Sequence, residues 1–128
     1  MGYTHHWTQK RDLTAKEWLA IKGGAQIVIS KCGVPLAYEC DEPTRAPEIS
    51  DELIRFNGLG EGGYETFIVE RDGHDFQFCK TDRRPYDKAV LGVLAVLHAV
   101  APDAFDLGSD GGEEALEEGR KLLKEWSA

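Results

Sequence analysis

The run 85–100 constrains this chain more than any other stretch. After Pro85 and Tyr86, the residues Ala89, Val90, Leu91, Val93, Leu94, Ala95, Val96 and Leu97 leave almost no polar side to a helix drawn through them. A helix that is apolar all round has to be covered all round. The run therefore predicts a central helix packed on a sheet, with another element over it. Pro85 supplies the fixed φ of a first helical turn, and Pro102 stops the helix. With Gly92 inside it, the run 89–97 is far too short to span a bilayer.

The rest of the chain supplies the covering elements. Thr14-Ala15-Lys16-Glu17 is a capping box, in which the Thr hydroxyl serves the N3 amide and the Glu carboxylate returns to the Thr amide. Trp18, Ile21, Ala25, Val28, Ile29 and Cys32 follow at helical spacing, and Gly33 closes the helix in the left-handed conformation. Gly23-Gly24 in its middle costs about 1 kcal/mol per glycine relative to alanine, which points to a close backbone approach or a bend. Strands are predicted at the aromatic start, with Tyr3, His5 and Trp7 on one face, and at 34–40, where Pro35 confines the start to an edge. A third lies at 53–57, with Ile54 and Phe56 inward and Arg55 and Asn57 outward, or Asn57 at its end. The stretch 41–50 carries Pro43 and Pro47 and reads as a loop long enough to act as a flap.

Gly58-Leu59-Gly60-Glu61-Gly62-Gly63 lies between strands, so it reads as a flexible hairpin connection and not as a strand-to-helix phosphate loop. Strand 64–70 and strand 75–81 are joined by Arg71-Asp72-Gly73-His74, whose Asp-Gly marks a tight hairpin. Within the second of these, Phe76 and Phe78 alternate as on a half-buried strand. A short strand at 104–107 precedes a last helix with Leu116, Gly119, Leu122, Leu123 and Trp126 on its buried stripe. The order β-α-β-β-β-β-α-β-α defines one α+β domain over 1–128, a mostly antiparallel sheet carrying helices on a face.

Fifteen basic against 23 acidic residues give a net charge of −8, which opposes general binding to nucleic-acid backbones. Three cysteines without a close pair, and no secretory segment, fit reduced thiols in a cytoplasm. The expectation is an acidic domain of the cytoplasm, without membrane contact.

Against that acidity stands one local cluster. Lys80, Thr81, Arg83 and Arg84 sit between a strand and a helix start, where free N–H groups already favour anions. Tyr86 adds a ring edge or a phenol. The alternative is that the arginines pair with Asp82 and Asp87 on the surface, at about 0–1 kcal/mol each. Asn57, Glu65 and Asp110 are expected to read polar groups of the same ligand, His5 is placed with them, and Tyr3, Trp7 or Tyr64 could stack a base. No HxH, HExxH or CxxC spacing calls for a metal, adjacent His5 and His6 face opposite sides of a strand, and nothing calls for a cofactor. Cys79 beside Lys80 could be an activated thiol, although a small buried hydrophobe is simpler. No nucleophile-elbow or Cys-His-Asn signature supports catalysis.

Six segments carry a resemblance in combination: Gly2-Tyr3-Thr4-His5-His6-Trp7, Phe56-Asn57-Gly58, Glu65-Thr66-Phe67, Phe78-Cys79-Lys80-Thr81, Arg83-Arg84-Pro85-Tyr86-Asp87 and Ser109-Asp110-Gly111. Together they resemble a family of small uncharacterised proteins of bacteriophages, prophages and bacteria, with His6 where an aromatic is usual and Arg84 where Lys is usual. The resemblance implies a phage-type counter-defence protein in the host cytoplasm. The first expectation is a sponge, possible as a homo-oligomer, that sequesters an anionic nucleotide-derived signal. The others are an inhibitor that covers a host protein and a small phosphoester hydrolase.

Overall fold

In a computed structural model, residues 2–73 and 75–128 are described. Met1, the first residue of the opening segment, and His74, the last of the Asp-Gly turn, lie outside the described residues. The strands are β1 (Thr4–Gln9), β2 (Leu36–Ala37), β3 (Glu48–Ile49), β4 (Leu53–Gly58), β5 (Phe67–Glu70), β6 (Phe76–Lys80) and β7 (Phe105–Ser109). The helices are α1 (Ala15–Lys31), α2 (Asp87–Val100) and α3 (Gly112–Trp126). The fold is α+β in the expected order, with the two-residue β3 set within the 41–50 loop. Arg45 and Arg55 both lie over the Tyr38 ring, at 3.5 and 4.0 Å, and tie that loop to the sheet.

β1 is the middle of a three-stranded antiparallel sheet, β6-β1-β7, and β4 pairs antiparallel with β2, β3 and β5. The alternation expected of β1 holds, with His5, Trp7 and Gln9 turned inward. α2 packs against both other helices and against β7, and every residue from Ala89 to Leu97 in it is buried. The capping box at Thr14 and Glu17 is formed, and Gly33 has φ 74°. A Cβ on Gly24 would lie 2.6 Å from Val96, so the glycine lets α1 approach α2.

Three local expectations fail. β5 and β6 form no ladder across the Asp-Gly turn: β5 pairs with β4 and β6 with β1, and the two arms bond each other at Glu65 and Lys80. Phe67 and Val69 are thereby buried, Phe67 against Phe56 and Trp7. The register of β6 with β1 sets Cys79 opposite buried His5 and turns the even-numbered residues outward. Phe76 and Phe78 are therefore 58% and 59% exposed instead of half-buried. Pro85 also precedes the first regular helical residue, Asp87, whose N–H closes a turn onto the Arg84 carbonyl at 2.8 Å. Among the described residues, no helix is long and apolar enough to cross a membrane.

Candidate functional site

β1 runs antiparallel to both neighbours, so its start meets the ends of β6 and β7. The β6–α2 and β7–α3 junctions consequently flank Tyr3 from either side. On one side the Tyr3 carbonyl accepts the N–H groups of Thr81 and Asp82, at 3.0 and 3.1 Å. On the other, Thr4 donates its N–H to Asp110 Oδ2 at 3.0 Å and accepts the Asp110 N–H at 2.9 Å.

The β6–α2 junction is a tight turn. Arg84 donates its N–H to the Thr81 carbonyl at 3.0 Å, and the two central residues, Asp82 and Arg83, have φ of 52° and 58°. Positive φ at both central positions is the type I′ arrangement, for which Asn-Gly is the usual pair. Here an arginine occupies the glycine-favoured place. The turn holds the Arg83 guanidinium 3.9 Å from the centroid of the Tyr3 ring. Tyr3 is nearly buried, its edge against the His5 ring at 5.1 Å. A Cβ on Gly111 would lie 2.1 Å from the Tyr3 hydroxyl, so the glycine is what admits the ring.

The stacked Tyr3 and Arg83 border two hollows. One, of about 560 Å³, is lined by Gly2, Tyr3, Arg83 and Asp110. The other, of about 350 Å³, adds Asp87, Gly111, Glu114 and Glu118 to the same pair. Lys80 runs against Gly2 and holds its ammonium 5.3 Å from the Tyr64 ring centroid. Arg84 approaches the same ring at 5.5 Å and donates to the Glu61 carbonyl at 2.9 Å. Among the described residues, neither Arg83 nor Lys80 is in an ion pair.

Four of the expected ligand-binding side chains are used inside the protein. His5 is fully buried, with Ser109 Oγ 2.7 Å from Nδ1 and Asp87 Oδ1 2.6 Å from Nε2. A carboxylate only accepts, so Nε2 donates to Asp87; in the neutral ring Nδ1 then accepts the Ser109 hydroxyl. Thr81, also fully buried, donates to the same Asp87 oxygen. Tyr86 is enclosed and donates its phenol to the Glu65 carbonyl, while burial pushes its pKa up. Asn57 accepts the N–H groups of Gly58 and Tyr64 and donates to the Tyr64 carbonyl and the Thr66 hydroxyl. It fastens the glycine-rich connection, which is therefore a pinned turn and not a loose one. These four position the site and do not line either hollow.

Glu65 is exposed, but its Oε1 accepts the Lys80 N–H at 2.7 Å. Cys79 is buried, and desolvation pushes its thiol up to about 12, the opposite of an activated nucleophile. His98 is exposed. Among the described residues, no group of three or more His, Cys, Asp or Glu side chains is placed to hold a metal ion.

Asp87 and Ser109 were not candidates from sequence. Their partner His5 lies 82 and 104 residues away, so no local spacing signals the network. No family model, curated protein or solved structure matches this chain.

Proposed function

We propose that the chain binds a small anionic ligand of nucleotide type on the shelf formed by Tyr3 and Arg83, as a phage-type sponge for such a signal. The observation that carries this reading is Arg83 itself. An arginine set at positive φ, stacked on a tyrosine and, among the described residues, in no ion pair, is exposed between two hollows. Non-glycine residues at positive φ cluster where a site needs them.

The carboxylates sharpen the class. Asp110 faces one hollow and Asp87, Glu114 and Glu118 the other. They oppose a bare anion and accept from hydroxyl or amine groups. A nucleotide combines both, with phosphate on Arg83 and Lys80, and ribose or base donors on Asp110; inorganic phosphate does not. Isothermal titration with cyclic di- and oligonucleotides and adenosine-diphosphoribose-type compounds tests this. Heat with at least one of them, lost in Arg83→Ala and weakened in Lys80→Ala, is the expected result. No heat with any, or unchanged binding in both variants, defeats the reading.

One observation favours a second reading, a hydrolase: Ser109, His5 and Asp87 are connected as a nucleophile, base and orienting carboxylate can be. Full burial of His5 argues instead for a brace. Loading a bound nucleotide, heat-denaturing the protein and analysing the released ligand separates the two. Intact ligand means storage, and a cleaved product means catalysis.

A further inference from the structure

β5 and β6 leave the Asp72-Gly73 turn as two arms that belong to different ladders. They meet again where Glu65 and Lys80 bond each other, and between the turn and that meeting point lies a hollow of about 390 Å³. One wall is the inner face of the β1–β6 ladder, where Trp7 stands opposite Gln77 and the Gln9 N–H reaches the Asp75 carbonyl at 3.4 Å. The other wall is β5, which buries Phe67 and Val69 on its far face and turns Ile68 and Glu70 to the hollow. Asp72 and Asp75 stand at the turn end. The hollow lies at the end of β1 and the Tyr3–Arg83 shelf at its start, and the two share no residue.

Three carboxylates beside a turn would by themselves be a solvated surface. Gln9 adds something that a solvated surface does not explain. It is 2% exposed, and its Nε2 donates to the Arg11 and Arg71 carbonyls at 3.2 and 2.8 Å. Both partners only accept, so the amide has one orientation and its oxygen faces the other way. Among the described residues, no donor reaches that Oε1. It lies by the turn wall, where a Cβ on Gly73 would come 3.6 Å from it. Nor is it sealed in: among the described residues, the enclosed polar atom without a partner is Arg55 Nε, so Gln9 Oε1 opens to the hollow that Gln9 lines. An acceptor held there is waiting for a donor.

The charges say what kind of donor. Glu70, Asp72 and Asp75 are, among the described residues, in no ion pair. Arg55, across the β4–β5 ladder from Ile68, is held by Glu39, and Arg71 beside the turn does not line the hollow. More than one unmatched carboxylate calls for more than one positive charge. Trp7 and Ile68 between them offer apolar wall, which suits methylene groups and not a bare ion. Among the described residues, no group of three or more His, Cys, Asp or Glu side chains is placed to hold a metal.

We propose that this hollow binds an aliphatic polyamine, with ammonium groups on the carboxylates and on Gln9 Oε1 and the spacers along Trp7 and Ile68. The volume is within the range of small-molecule sites, about 300–1,000 Å³, and the Trp7 ring adds a cation–π contact. The site is independent of the anionic ligand, and its failure would leave the Tyr3–Arg83 shelf untouched.

Isothermal titration of the full chain with spermidine reads the binding at about 0.15 M salt, where attraction to the net charge is screened beyond about 8 Å. Asp72→Asn combined with Asp75→Asn changes only exposed side chains, keeps a turn-forming Asn-Gly pair, and should weaken binding at least about tenfold. Asp41→Asn combined with Glu125→Gln removes the same number of charges from exposed positions elsewhere and should change it less than about twofold. Proton–nitrogen NMR locates the ligand: the Gln9 side-chain amide should shift on titration of the wild type and stay still in the turn variant. No heat with spermidine, equal weakening by the two pairs of substitutions, or an unmoved Gln9 amide overturns the proposal. So does tighter binding of a lysine tripeptide, which would make the hollow a socket for a basic protein segment, or of magnesium alone.

Discussion

The turn at Asp82 and Arg83 permits a test in which the sign of the result decides. Replacing Asp82 by Gly and, separately, by Ala removes the same carboxylate and its 3.9 Å approach to Arg84. The two variants then differ only at a backbone with φ 52°. A left-handed conformation costs an alanine about 1–2 kcal/mol, whereas glycine adopts it freely and loses about 0.5–1 kcal/mol of extra chain entropy on folding. Glycine should therefore exceed alanine by about 1 kcal/mol at this position, the reverse of the order in a helix or strand. For a domain of this length such a gap moves the melting temperature by about 4 °C. The same order is expected at Arg83, φ 58°, where both substitutions also remove the stack on Tyr3. Urea denaturation followed by circular dichroism reads the four variants against the wild type. Alanine equal to or more stable than glycine at both positions refutes the type I′ turn and, with it, the placement of Arg83. At Arg83 the glycine variant should be the more stable of its pair and still lose the ligand, which separates folding from binding.

Ser109→Ala leaves His5 Nδ1 and the Gly111 N–H without their partner, and chemical denaturation should show a loss of about 1–2 kcal/mol. A loss indistinguishable from zero contradicts the brace. Asn57→Ala strands several groups around the glycine-rich turn and should cost about 3 kcal/mol by the same assay; less than about 1 kcal/mol argues against the pinned turn. Iodoacetamide on the native protein at mildly alkaline pH should modify Cys40 and spare buried Cys32 and Cys79, as mapped by mass spectrometry. Modification of Cys79 at the Cys40 rate disproves its enclosure. The Glu17 carboxyl is held down to about 2, first by the hydrogen bond from Arg11 and then by the Thr14 amide. Its contribution is present above the ordinary carboxylate range and is lost as pH falls through that value. Acid titration of stability should therefore be flatter below pH 4.5 in Glu17→Gln than in the wild type, and identical slopes refute the coupling.

The elements that sequence identifies here are those whose partners are near or whose pattern is one-dimensional. The capping box at Thr14 closes within three residues, and the all-round apolar face of α2 requires burial whatever lies against it. Strand pairing does not have that property. Asp72-Gly73 signals a turn, but how far β5 and β6 stay paired beyond it depends on where Phe67 and Trp7 meet, a contact between distant segments. The error at Phe76 and Phe78 follows from the same choice. Alternation shows that the two share a face, and only the register with β1 shows that the face is the outer one.

The candidate site divides along the same line. Polar residues at strand ends and helix starts are where ligands bind, and they are also where a small fold ties its junctions together. His5, Thr81, Asn57 and Tyr86 belong to the second kind, because their polar atoms have partners inside the protein and their surfaces are buried. Arg83 differs in both respects, being exposed, stacked on Tyr3 and, among the described residues, in no ion pair. Sequence could not separate Arg83 from its neighbour Arg84, since the two are adjacent and chemically alike. The turn separates them: positive φ at Asp82 and Arg83 sends one guanidinium to Tyr3, while Arg84 goes to the Glu61 carbonyl and Tyr64. The cluster of four donors is thus divided, with Thr81 held inside and the two arginines on different sides of the turn. Only the Tyr3 side joins the β7–α3 junction, so Arg83 with Asp110, rather than Arg83 with Arg84, defines where a ligand would sit.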